Sequence, residues 1–160
     1  MSMTFGPGIT LGRGITVGPY VVPAVDLRYD TNYIGTNVAT DFNNTVLYDT
    51  DSGLYVCLTD QQMSATGRYM ATFNVTYNVD PANTIGIATR SVDLNNYLGS
   101  DTQGLGIGQD QTLYWNGSGI DGGFPVWGEG DVVDVAVNNA AGKMWMRVNG
   151  GFWNGDPAAD

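Results

Sequence analysis

Residues 131–153 read DVVDVAVNNAAGKMWMRVNGGFW and contain the strongest short-range hairpin signal in the chain. This stretch opens with an apolar run at residues 131–137, followed by turn-forming residues 138–142 and a second apolar run at residues 143–148. The dipeptide Asn149-Gly150, a strong signal for a tight hairpin turn, then leads into residues 151–153. The stretch therefore predicts antiparallel strands joined by short turns.

Similar strand signals recur along the chain. Residues 67–77 alternate strictly, with Tyr69 and Phe73 on one face and Thr72 on the other. Shorter apolar runs bounded by turn residues occur at residues 45–48, 54–58, 84–88 and 112–116. No stretch of about 12 residues combines helical periodicity with caps. We therefore predict an all-β protein, an antiparallel β-sandwich.

The composition limits the classes of function. The 160 residues include 23 Gly, and 42% of the chain is hydrophobic, which is enough for the core of one domain. A formal net charge of −10 argues against nucleic acid as a partner, because phosphates are neutralised by Lys and Arg. Calcium stays open, since Asp49 and Asp51 lie in one turn, although a simple hairpin tip explains them as well.

The chain lacks the residues that several kinds of catalytic and metal-binding site require. The chain has no His, which removes the Ser-His-Asp and Cys-His nucleophiles and the His-based zinc sites. Its one cysteine, Cys57, lies in an apolar run and is expected to be a buried small hydrophobic residue. Residues 104–108, GLGIG, lack the lysine of a phosphate-binding loop and are interpreted as a flexible turn. No cofactor and no metal are expected.

The sequence gives no sign of export or of membrane insertion. The opening MSMTFGPG has neither a basic nor an apolar segment of the kind found in secretory signals. No apolar run approaches the ~18 residues that a membrane-spanning helix requires. We expect a protein made in the cytoplasm without a signal peptide and not inserted into a membrane.

Three segments resemble SPRY domains in their motifs and in their order. SATGRYMATFNV (residues 64–75) is similar to the opening strand, and residues 85–117 resemble the next section, which ends in an aromatic-Asn-Gly turn. GEGDVVDVAVNNAAGKMWMRVNGGFWNG (residues 128–155) is the most specific match, with Gly-Asp before a strand and Asn-Gly before a Trp. The resemblance covers roughly residues 45–156.

This resemblance implies a concanavalin-like jelly roll of two curved antiparallel sheets, a fold used mainly for binding. Gly/Asn/Asp-rich SPRY-like domains occur in virion proteins of tailed bacteriophages, often beside Gly-Ile-Thr repeats. We therefore expect a non-enzymatic virion protein from a fibre, a tail or a head decoration, which recognises a glycan or protein on the host surface. A cellular SPRY adaptor that binds a peptide is an alternative.

The chain departs from the family at its end. SPRY domains normally continue past the Trp hairpin to two or three closing strands. Here the sequence stops at Asp160. The first forty residues or a neighbouring chain would replace those strands, and a sequence that is a fragment of a longer chain is the third alternative.

A glycan hydrolase is the enzymatic alternative. Glu129, Asp131 and Asp134 have the acid-x-acid-x-x-acid spacing of concanavalin-like glycoside hydrolases, in which two carboxylates flank the scissile bond. On a regular strand, however, Asp134 points away from Glu129. We interpret these residues as the entry to a strand and expect no catalysis.

Aromatic residues beside amides are the remaining ligand signal. Sugar-binding surfaces use aromatic faces for stacking and amides for hydroxyl groups. The candidates are Tyr114, Trp115, Asn116 and Trp127. Trp127 is expected to be exposed, because Pro125 and Gly128 place it in a loop.

A repeat occupies the start of the chain. Residues 8–19 read GITLGRGITVGP, two six-residue units in which Ile9, Leu11, Ile15 and Val17 fall on one side of an extended segment. Two such units cannot cover their own apolar face. We predict an assembly segment over residues 1–40, which joins copies of the chain into a homotrimer and contacts other virion proteins, and a sandwich over residues 41–160. Packing of the repeat on its own sandwich is the alternative.

Overall fold

A computed structural model describes residues 3–5, 9–11, 28–36, 38–41, 46–49, 56–60, 62–76 and 83–158. Within these residues the protein is all-β, without a helix, and every strand pairing is antiparallel, as predicted. The strands are β1 Met3–Phe5, β2 Ile9–Leu11, β3 Tyr29–Ile34, β4 Val38–Asp41, β5 Val46–Asp49, β6 Cys57–Thr59, β7 Arg68–Asn74, β8 Thr84–Ala88, β9 Gly104–Gly108, β10 Leu113–Trp115, β11 Ser118–Asp121, β12 Val132–Asn138 and β13 Lys143–Val148.

Two larger sheets account for most of these strands. One has the order β1-β2-β7-β12-β13 and the other β11-β10-β9-β8, and two strand pairs, β3-β6 and β4-β5, accompany them. Alternation along β12 directs Val133, Val135 and Val137 into a core that also contains Ile107 of β9. The two larger sheets thus pack face to face, which is consistent with a β-sandwich.

The opposite face of β12 is also buried. Asp134, Ala136 and Asn138 lie there, and Ala136 packs with Met70 and Trp145 of the neighbouring strands. Both faces of the strand are covered, which explains why six consecutive residues, 133–138, are buried. This strand is the centre of the fold.

The final predicted strand is absent. Residues 151–153 follow the Asn149-Gly150 turn but form no strand, although the Gly151 nitrogen closes the turn by donating to the Val148 carbonyl at 2.9 Å. The chain returns to β13 through Asn154, whose backbone nitrogen donates to the Met146 carbonyl. The side-chain oxygen of Asn154 in turn accepts from the Met146 nitrogen.

A third layer covers the outer face of the four-stranded sheet. Residues 89–103, here called the bracing loop, connect β8 to β9, and Val92 and Leu98 of this loop pack with Val56. The β3-β6 pair joins the same layer through the ion pair between Arg90 and Asp30, at 2.8 Å. This layer supports the β10-β11 hairpin.

Candidate functional site

The exposed aromatic residue of the predicted site lies on the β10-β11 hairpin. Trp115 ends β10 and is 42% exposed, and Asn116 and Gly117 turn the chain into β11. Both turn residues have positive φ, 51° and 73°, which is the conformation that a two-residue hairpin turn requires. Asn-Gly tolerates this conformation, so the turn that the sequence predicted forms here.

The bracing loop holds the hairpin tip. The Asn116 nitrogen donates to the Asp101 carbonyl and the Gly117 nitrogen to the Gly99 carbonyl, each at 3.0 Å. The Asp101 carboxylate in turn accepts from the backbone nitrogens of Asp93 and Gln103, each at 2.8 Å. The hairpin tip is therefore held by hydrogen bonds to its backbone and not by its exposed side chains.

The glycines of β9 allow this close support. A Cβ on Gly106 would lie 2.0 Å from the Leu98 carbonyl oxygen, and one on Gly104 would lie 2.6 Å from a Leu98 methyl group. The prediction of a flexible turn at residues 104–108 was wrong, because the segment is a mostly buried strand. Its glycines recur at every second position, so they fall on one face and let the bracing loop lie directly on the backbone.

Tyr114 faces away from Trp115. Alternation along β10 places Trp115 on the side of Leu113, which packs on the core, and Tyr114 on the outer face. The Tyr114 hydroxyl donates to Asp110 at 2.5 Å, and its ring meets Tyr97 edge-on with centroids 5.8 Å apart. That hydrogen bond raises the pKa of Tyr114 and lowers the pKa of Asp110. The hairpin therefore presents two aromatic surfaces and does not gather its aromatics into one.

Trp127 does not belong to this surface. It is 4% exposed and packs in the core with Phe124 and Val133, so the predicted exposure was wrong. Gly and Pro neighbours place Trp127 outside a strand, but a loop that crosses the open end of a sandwich can direct its side chain inward. Its indole nitrogen has no hydrogen-bond partner within the part of the chain that the structure describes.

The acid-x-acid-x-x-acid residues have separate structural surroundings. The Asp131 carboxylate accepts from the Gly128 nitrogen at 2.8 Å and from the Asn149 side chain at 2.7 Å, which closes the entry to β12. Asp134 accepts from the Thr72 hydroxyl and, at 2.7 Å, from Arg147. Glu129 is exposed in the loop before β12. The carboxylates of Asp131 and Asp134 are thus both engaged in hydrogen bonds that stabilise the fold.

The repeat lies partly within the described residues. Ile9 and Leu11 belong to β2, which pairs with β1 and, at Ile9, with Phe73 of β7. Ile15 and Val17 lie outside the described residues. The predicted boundary after residue 40 falls inside β4, and β3 pairs with β6 across it.

Cys57 is half-buried at the start of β6. Burial, aided by the negative charge of Asp30, raises the pKa of its thiol to about 12. Asp49 ends β5, whereas Asp51 lies outside the described residues. Across the described ranges no three His, Cys, Asp or Glu side chains group as a metal site, and no helix has the length and apolar character to span a membrane.

The chain matches no protein-family model and no curated protein. The proposals below therefore depend on the geometry and on the SPRY resemblance.

Proposed function

We propose that this protein is a non-enzymatic structural protein of a tailed-phage virion, in a fibre, a tail or a head decoration. Its SPRY-like jelly roll would present the β10-β11 hairpin to a glycan on the host surface. The virion assignment depends on the resemblance of residues 64–155 to SPRY-like phage domains and on the Gly-Ile-Thr repeat. The antiparallel two-sheet architecture supports it, because this fold commonly serves binding.

The single observation that carries the binding proposal is Trp115. A large aromatic ring that is 42% exposed at a fixed hairpin tip offers an apolar face for the C–H groups of a sugar ring. Asn116, beside it, is exposed and offers an amide for hydroxyl groups. Because the bracing loop fixes the backbone, little ordering entropy is lost when a ligand binds.

Two observations support a non-enzymatic role. Both Asp134 oxygens are engaged, one by Thr72 and one by Arg147, so this carboxylate is arranged as a structural ion pair. Asp131 is engaged in the same way at the strand entry. A retaining glycosidase needs two carboxylates free to face one bond.

A binding assay with a matched control tests the proposal. Trp115→Ala should reduce binding to host cells and to a glycan array by about tenfold or more, the effect of removing a central aromatic contact. Phe152→Ala is the control, because Phe152 is 99% exposed and follows β13, the last strand of the other sheet. Unchanged binding by Trp115→Ala, or an equal loss with Phe152→Ala, would refute this role.

Self-assembly through the N-terminal repeat forms the second part of the proposal, with Ile9, Leu11, Ile15 and Val17 as contact residues in a homotrimer. Within the described residues β1 is the outermost strand of the five-stranded sheet, and an edge strand can pair with another chain. Light scattering should show an oligomer that dissociates on deletion of residues 8–19 while the sandwich stays folded. A monomeric intact protein, or unfolding on deletion, would mean that the repeat only completes its own sheet through β7.

A further inference from the structure

The hairpin tip is held by a residue that lies outside the hairpin. The Asp101 carbonyl accepts at 3.0 Å from the nitrogen of Asn116, which follows Trp115 in the chain. The two carboxylate oxygens of Asp101 accept from the backbone nitrogens of Asp93 and Gln103, each at 2.8 Å. Asp101 therefore joins two distant points of the bracing loop to each other and to the hairpin.

The chemistry of the Asp101 side chain suits this role. A carboxylate offers two acceptor oxygens and no donor, so it can accept both N–H groups at once. An asparagine would keep one oxygen and turn an NH2 group toward the second N–H, which leaves that donor without its acceptor. Asp101→Asn therefore opens one of the two bonds that shape the loop and hardly changes the size of the side chain.

The bracing loop is docked in turn on the residues around β3 and β6. Val56, directly before β6, is 4% exposed and packs with Val92 and Leu98 of the loop. Thr36, two residues after β3, donates to the Asn95 side-chain oxygen from its backbone nitrogen at 3.0 Å and from its hydroxyl at 2.5 Å. The β3-β6 pair is thus attached to the loop by apolar packing and by hydrogen bonds.

Leu98 connects this docking to the tip. It packs with Val56, and the carbonyl of the next residue, Gly99, accepts from the Gly117 nitrogen at 3.0 Å. A Cβ on Gly106 would lie 2.0 Å from the Leu98 carbonyl oxygen, so Leu98 also lies directly against β9. Loosening the contact with Val56 would therefore loosen the loop segment that holds Gly117.

We propose that Asp101 is a positioning residue for the hairpin tip, and that the β3-β6 pair takes part in this positioning through the packing of Val56 on the bracing loop. The consequence for ligand binding rests on the proposed function, since it assumes that Trp115 contacts a ligand. The consequence for the order of the tip needs no ligand and is measured separately.

Amide hydrogen exchange of the whole chain, followed by NMR, tests the role of Asp101. Asp101→Asn should speed exchange of the Asn116 and Gly117 amides by about tenfold or more, the effect of losing a hydrogen bond to a charged group. The amides of β12 should keep their rates. Glu129→Gln, which removes an exposed charge outside the loop, should change neither. Unchanged exchange at Asn116, or an equal acceleration in β12, would overturn the inference.

A second pair of variants tests the contribution of the β3-β6 pair. Val56→Ala should speed exchange of the Gly117 amide by roughly two- to tenfold, the range of coupling through packed side chains. Val126→Ala is the matched control, because Val126 is 63% exposed in the loop before β12. An unchanged Gly117 rate in Val56→Ala would refute the part assigned to the β3-β6 pair.

Binding to host cells and to a glycan array gives the functional readout. Asp101→Asn should bind about three- to tenfold more weakly than the parent, because the ligand must then order the tip. Full binding by Asp101→Asn despite faster exchange would overturn the inference and leave recognition through Trp115 standing. A parent protein that binds no glycan would refute the proposed function, and the exchange rates would then decide the positioning role alone.

Discussion

Asp134 is expected to be a structural residue whose removal destabilises the sandwich. It lies at the centre of β12, with Thr72 and Arg147 as its register partners on the two neighbouring strands. Both partners donate to its carboxylate, and Arg147 also lies over the Trp153 ring at 4.6 Å. The change to test is Asp134→Ala, which leaves the Thr72 hydroxyl and the Arg147 guanidinium without their acceptor.

The expected loss follows from burial. The Asp134 and Arg147 side chains retain only 7% and 20% of their exposure, so solvent screens their interaction little. Breaking such a pair by removing one partner typically costs about 3–5 kcal/mol. Asp134→Asn keeps the shape and one acceptor and should cost about 1.5–3 kcal/mol, the range for hydrogen bonds to charged groups. In a double-mutant cycle with Arg147→Ala, the coupling energy should be about 1–3 kcal/mol.

Urea unfolding at neutral pH measures these values, with an unchanged m-value as the check that only stability has changed. Glu129→Gln is the matched control and should stay within about 0.5 kcal/mol of the parent, because Glu129 is an exposed loop residue. A cost below about 1 kcal/mol for Asp134→Ala would refute the structural reasoning. Glycan hydrolysis abolished by either change would restore the catalytic interpretation.

Three substitutions and one labelling experiment test the packing further. Trp127→Ala should cost about 3–5 kcal/mol in thermal or urea unfolding, as for a core aromatic, and a stable variant would show that Trp127 is not a core residue. Gly106→Ala should destabilise by about 1–3 kcal/mol, because its Cβ would meet the Leu98 carbonyl, and retained stability would contradict that close approach. Phe152→Ser should leave the melting temperature unchanged, whereas a drop would reveal a hidden contact. Cys57 should resist thiol reagents at pH 8 until the protein is unfolded, since its thiol has a pKa of about 12 and only the thiolate reacts, so rapid native labelling would contradict the burial.

Strands with a clear apolar pattern were predictable. β8 and β13 coincide with the predicted runs at residues 84–88 and 143–148, and β12 differs from its prediction by one residue at each end. Their apolar residues recur at period two or form a buried run, so local sequence and tertiary burial agree. β3 and β11 were not predicted, because neither has an alternating apolar pattern: β3 pairs with the distant β6, and every residue of β11 is exposed.

The candidate site was predictable only in part. The turn at Asn116-Gly117 was predictable, because the tendency of Asn and Gly to adopt positive φ is a local property of the sequence. The burial of Trp127 depends on sheet stacking, which no local pattern encodes. The hydrogen bond from Thr72 to Asp134 was missed for the same reason, since Thr72 is 62 residues away along the chain.

The glycines of β9 connect the core to the proposed binding surface. A strand with side chains on its outer face would hold the bracing loop away from the sheet, beyond hydrogen-bonding distance of the hairpin tip. Gly104 and Gly106 remove those side chains, so Leu98 contacts backbone and Gly99 reaches Gly117. The loop can then fix Trp115 at an exposed position without covering it. The β9 glycines, which suggest a flexible turn in the sequence, thus help to fix the hairpin. Because every second residue of β9 lacks a side chain, the bracing loop can lie directly against the sheet.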